Sequence, residues 1–80
     1  MEIKPGIAFI YKQVTDYNNI DDKMYLVVGH SGHDDCPVAA QRMSELGTAF
    51  ISYFTEQELL WGLDELSVWI EGIQEHITIG

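Results

Sequence analysis

Lysine and arginine are missing from the second half of this chain. Residues 43–80 hold seven acids (Glu45, Glu56, Glu58, Asp64, Glu65, Glu71 and Glu75) with no Lys or Arg, a formal charge of −7. Residues 1–42 carry six acids and all four bases, for −2, so the chain as a whole stands at −9. A field of that sign repels nucleic acid and anionic lipid and attracts basic protein surfaces. Direct binding of DNA or RNA is therefore not expected. Cysteine is nearly absent too, since Cys36 is the only one in 80 residues. No intramolecular disulfide can form, a stapled secreted scaffold is excluded, and a reducing cytoplasm is the expected compartment. Long apolar runs are also lacking, and no window approaches the roughly 18–20 residues needed to span a bilayer. The opening Met1-Glu2-Ile3-Lys4-Pro5-Gly6 has no basic region ahead of an apolar one, so no secretory leader and no membrane partner are expected.

What is present suits one small domain over residues 1–80. Apolar residues make up 46% of the chain, with two Trp, four Tyr and three Phe to build a core. At this size a core seldom contributes more than about 3–5 kcal/mol of net stability. A partner, or pairing into a homodimer, would then add to stability as well as to function.

The apolar run 7–14 is rich in β-branched and aromatic residues and predicts a strand after the Pro5-Gly6 turn. Residues 15–23 read as a loop, 24–30 as a second strand and 31–37 as a second loop. Residues 38–46 admit two readings. Asp35 as cap, Pro37 in the first turn, Ala39-Ala40 and a terminating Gly47 spell a helix. A strand over 38–43, turning at 44–47, is the alternative. Residues 48–54 are the clearest strand. Thr55-Glu56-Gln57-Glu58 matches a capping box, so helix is expected to begin there. A second helical segment is expected from Asp64, with Leu66, Trp69, Ile70, Ile73 and Ile77 at helical spacing and Gly72 costing about 1 kcal/mol. Trp69 falls in that apolar stripe and is expected in the core. Trp61 lies in the junction Leu60-Trp61-Gly62, where it is expected to be exposed.

Lys4-Pro5-Gly6, the strand Tyr25-Leu26-Val27-Val28-Gly29 and the stretch from Gly47 through Thr48-Ala49-Phe50-Ile51-Ser52-Tyr53-Phe54-Thr55-Glu56-Gln57-Glu58 to Leu59 resemble small SH3-like barrels of phage and prophage genomes. In that group a strand ends in an aromatic, and a short acidic turn with a Glu-Leu pair closes the barrel. The resemblance covers about residues 4–60 and stops after Leu60, where an acidic, Trp-containing tail follows. It implies the strand reading of 38–43. The expected fold class is α+β: a small antiparallel SH3-like β-barrel or sheet with a C-terminal helical segment. It also implies a phage or mobile-element origin, and hence the host cytoplasm as the working compartment.

One cluster carries metal-ligand chemistry. His30, His33 and Cys36, with Asp34 and Asp35 between them, form an H-x2-H-x2-C spacing on the second loop, and His76 is a remote fourth donor. Structural zinc sites draw ligands from two knuckles and only one is present, so a solvated loop without metal is expected. Cys36 as a nucleophile with His30 or His33 as base is disfavoured, because the neighbouring carboxylates oppose thiolate formation. The chain has no glycine-rich phosphate loop and no serine-centred elbow, and no cofactor is expected.

The leading expectation is a non-enzymatic binding protein whose acidic half occupies a basic, nucleic-acid-binding surface of a host protein, such as a CRISPR effector or a restriction enzyme. Its carboxylates would stand where phosphates otherwise sit. The candidate contacts are Glu56, Glu58, Asp64, Glu65, Glu71 and Glu75, with Trp61 as apolar anchor. The rival expectation is an accessory module of a larger assembly that binds through apolar surface.

Overall fold

The computed structural model describes residues 2–12 and 20–79, with side chains as far as Glu75 in the last helix. Strand β1 (Ala8–Ile10) is followed by a 3-10 turn at Ile20–Asp22, then β2 (Met24–His30) and β3 (Val38–Arg42). A second 3-10 turn at Met43–Glu45 leads to β4 (Ser52–Phe54), and helix α1 (Glu56–Ile79) follows. The class is α+β. The four strands form one open antiparallel sheet in the order β1-β2-β3-β4, each pairing with its neighbour in sequence.

The register explains where the core sits. Phe9 stands opposite Tyr25, Val27 opposite Ala40, and Val38 opposite Phe54. Phe9, Val27, Val38, Ala40 and Phe54 are buried together, and Leu59 of α1 joins them. Aromatic rings fill the concave face. Phe9 stacks on Tyr25 at 5.7 Å, and Phe54 meets Phe9, Tyr25 and Tyr11 edge-on at 4.9–5.2 Å between centroids. Phe9 and Phe54 belong to the first and last strands, which in a flat sheet would be about 14 Å apart. Ring contact between them requires a sheet curled about its own core. A β-bulge between Val27 and Gly29 sharpens that curl and leaves Val28 facing solvent.

Several expectations are corrected here. The helical reading of 37–46 is excluded, because β3 occupies Val38–Arg42. The first strand is shorter than 7–14. It ends before Lys12, whose φ of 82° lies in the left-handed region, and residues 13 and 14 fall outside those described. The last strand covers 52–54 instead of 48–54, because side chains take the backbone groups ahead of it. Gln41 Nε2 donates to the carbonyls of Thr48 and Phe50, and the Thr48 hydroxyl accepts from the Phe50 amide. Two helical segments were expected and one continuous helix is found. Leu60-Trp61-Gly62 is therefore no junction but part of an unbroken turn of α1.

The helix starts where its capping box predicts. The Glu58 amide donates to Thr55 Oγ1 at 3.0 Å, and the Thr55 amide donates to Glu58 Oε1 at 2.9 Å. Leu59 is fully buried, Leu63 packs on the core, and Gly62 between them lets α1 approach β1 closely. Trp69 is half-buried and stands outside the buried cluster, so the core placement read from its spacing is not realised. At about 1.5 Å per residue the 24-residue helix is about 36 Å long, far longer than the three-residue strand it crosses. Among the described residues, no helix is long and apolar enough to cross a membrane.

Candidate functional site: the outward face of the helix

The inward side of α1 is set by Leu59, Gly62 and Leu63. Residues about half a turn away must therefore face water. Trp61, Asp64, Val68, Glu71 and Glu75 follow one another at alternating steps of three and four, which keeps them in one stripe. All five are exposed, Trp61 to 39% and Val68 to 65%. The stripe runs about 21 Å along the axis. Leu60, also exposed, flanks it, while the exposed Ile70 lies further along the side of α1 that carries Leu59 and Leu63.

The structure thus brings together four of the seven candidate contacts, Trp61, Asp64, Glu71 and Glu75, and separates the other three. The Glu58 carboxylate is engaged in the cap of the helix. Glu56 and Glu65 are half-buried off the stripe. Val68 was not among the sequence candidates. Its position seven residues after Trp61, two full turns on, is the signal that points to it.

The electrostatics of the two helix ends differ. Glu56 and Glu58 lie in the first turn, where the exposed amides of the helix favour negative charge. Toward the other end Glu71 and Glu75 gain no such support, because the influence of a helix end falls off within its terminal turn. They are also four residues apart, a like-charge spacing that costs a helix about 0.2–0.5 kcal/mol. No Lys or Arg lies anywhere on α1 to offset them. Asp64, Glu71 and Glu75 have no cationic partner among the described residues, while the nearest base in sequence, Arg42, is paired with Glu45.

The loop 31–37 has a different organisation. The Ser31 hydroxyl accepts from the His33 amide at 3.0 Å and donates to the Cys36 carbonyl, drawing the loop around itself. His30 Nδ1 accepts from the Gly32 amide at 2.9 Å, which takes up one imidazole nitrogen. The His33 ring leans against Tyr53 at 5.5 Å, and Cys36 is half-buried. Among the described residues, no three His, Cys, Asp or Glu side chains come together as a metal-binding group. His30, His33 and Cys36 are held by backbone hydrogen bonds and ring packing and do not converge. The His76 side chain lies outside the described ones.

Compared with known proteins, the chain matches no protein-family model, no curated protein and no solved structure.

Proposed function

We propose that this chain is a non-enzymatic binding protein that docks the outward face of α1 on a basic surface of another protein. The carrying observation is the stripe Trp61, Asp64, Val68, Glu71 and Glu75, in which three carboxylates share one face with two apolar side chains and no cation intervenes. Glu71 and Glu75 do nothing for the helix that holds them, since they lie outside its first turn and stand at a like-charge spacing. A partner's Lys and Arg would turn that cost into binding energy. Surfaces rich in Lys and Arg are those that grip nucleic-acid backbones. On this reading the chain competes with DNA or RNA for its partner, as an inhibitor of the anti-CRISPR or anti-restriction kind.

The resemblance of residues 4–60 to phage SH3-like barrels supports a phage or mobile-element origin and action in a host cytoplasm. The ring contact of Phe9 with Phe54 supports reading the curled sheet as a relative of such barrels.

The second reading, an accessory module using apolar surface, is favoured by the exposure of Leu60 and Val68 beside the acids and of Ile70 on the other side of the helix. Salt separates the two. Capture of host proteins on the immobilised chain at low and high salt, followed by displacement of a fluorescent duplex from each captured protein, tests the primary reading. Salt-sensitive capture with duplex displacement is expected. Salt-insensitive capture without displacement transfers the assignment to the accessory module.

A further inference from the structure

The open sheet has two edges, and they are treated differently. The β1 edge lies beside α1, where Gly62 sits against Phe9 and the Ile10 carbonyl. The β4 edge carries Leu46, Phe50, Ile51 and Tyr53, all exposed, Phe50 to 70%. Exposed edge strands are ordinarily guarded by charge, proline or a bulge against pairing with another chain. Here charge, proline and a bulge are all absent, and the shortness of β4, three residues, is the one guard left. Residues 46–55 contain no Asp, Glu, Lys, Arg or Pro, and the pairing of β4 with β3 is regular. Among the described residues, Ile51, Ser52, Tyr53 and Phe54 make no backbone hydrogen bond outside the β3 ladder. Antiparallel geometry leaves alternate N–H and C=O groups of β4 turned outward.

We propose that this edge takes a second copy of the chain, β4 against β4 in antiparallel register, joining two sheets into one of eight strands. Three observations select a second copy over a different partner. An antiparallel edge strand is complementary to itself, and a two-fold axis repeats every contact. The edge is neutral in a chain of charge −9, so two copies meet there without burying like charges. A basic partner, in contrast, finds no acid between residues 46 and 55 to hold it. The exposed parts of these four side chains amount to about 400 Å² per copy, given that an aromatic residue covers about 150–250 Å². That is about half the roughly 800 Å² per partner of a standard interface, so the dimer is weak and concentration-dependent.

This inference does not rest on the α1 reading, and salt moves the two in opposite directions. Screening weakens an acid–base contact, but it relieves the repulsion between two acidic copies and strengthens their pairing. Sedimentation velocity on the full chain across the micromolar to millimolar range is expected to show a monomer–dimer equilibrium that shifts toward dimer as salt rises. Protection from exchange of the outward-turned amides of β4 should increase with protein concentration. Phe50→Lys, outside the regular strand, and Tyr53→Lys should each raise the dimer Kd by at least about tenfold. Melting temperatures of the monomers check that both variants fold. A chain that stays monomeric at every concentration overturns the proposal. So does a dimer unaffected by either variant, a dimer that weakens with salt, or amide protection that ignores concentration.

Discussion

Gly62 of α1 stands against Phe9 of β1 so closely that a methyl group in place of its hydrogen would lie 2.7 Å from Phe9 Cδ2. The same methyl would stand 2.9 Å from the carbonyl oxygen of Ile10, which as backbone cannot step aside. This contact sets the distance between helix and sheet, and with it the direction in which Trp61 and Asp64 point.

Gly62→Ala tests that role. Alanine raises helix propensity by about 1 kcal/mol, which on an exposed helix face would stabilise the fold. Overpacking against Phe9 and Ile10 costs about 1–3 kcal/mol in the opposite direction. The packing cost should prevail, so chemical denaturation should show a net loss of stability. A more stable variant would mean that α1 does not approach β1 in this way.

The capping box should be measurable on its own. Thr55→Ala and Glu58→Ala each leave a first-turn amide without its partner and should cost about 1 kcal/mol apiece. Because the two side chains serve one motif, the double variant should lose less than the two single losses combined. Full additivity in a double-mutant cycle would contradict a reciprocal cap.

Charge reversal on the outward stripe should separate folding from binding. Asp64→Lys, Glu71→Lys and Glu75→Lys change exposed groups, so thermal stability should hold or rise slightly as repulsion near the end of the helix is relieved. Association with the partner should slow sharply, while Trp61→Ala should chiefly speed dissociation. Surface-capture kinetics would reveal both. Unchanged affinity after triple reversal would remove the acids from the binding mechanism.

The loop 31–37 should tolerate loss of its ligand-type side chains. A His30→Ala, His33→Ala, Cys36→Ala triple variant should stay within about 0.5 kcal/mol of the parent, since both histidines are exposed and Cys36, half-buried, lies outside the core. Elemental analysis of the parent should find no stoichiometric zinc, and chelation should leave its melting curve in place. Stoichiometric zinc with a large loss on chelation would reinstate the metal site.

How far the sequence reaches differs from element to element. The 24–30 strand was legible to the residue because its centre, Leu26-Val27-Val28, is a β-branched and apolar run bounded by turn residues. The capping box was equally legible, since both of its partners lie within four residues. The end of β1 was not, because it depends on the left-handed backbone of Lys12. The short β4 was not legible either. Its first half is taken up by hydrogen bonds from Gln41, a residue on the neighbouring strand.

Sequence alone determined the charge asymmetry, the lack of any intramolecular disulfide and the start of the helix. Each depends on composition or on neighbours within one turn. Tertiary structure alone decided which acids share a face. Glu58 was claimed by the cap, Glu56 and Glu65 by the flank, and Asp64, Glu71 and Glu75 were left to solvent beside Trp61. The reason is that a helix has no outward side until something fixes its inward one. Here that is the burial of Leu59 and the fit of Gly62 against Phe9, contacts between residues some fifty positions apart that no local pattern records.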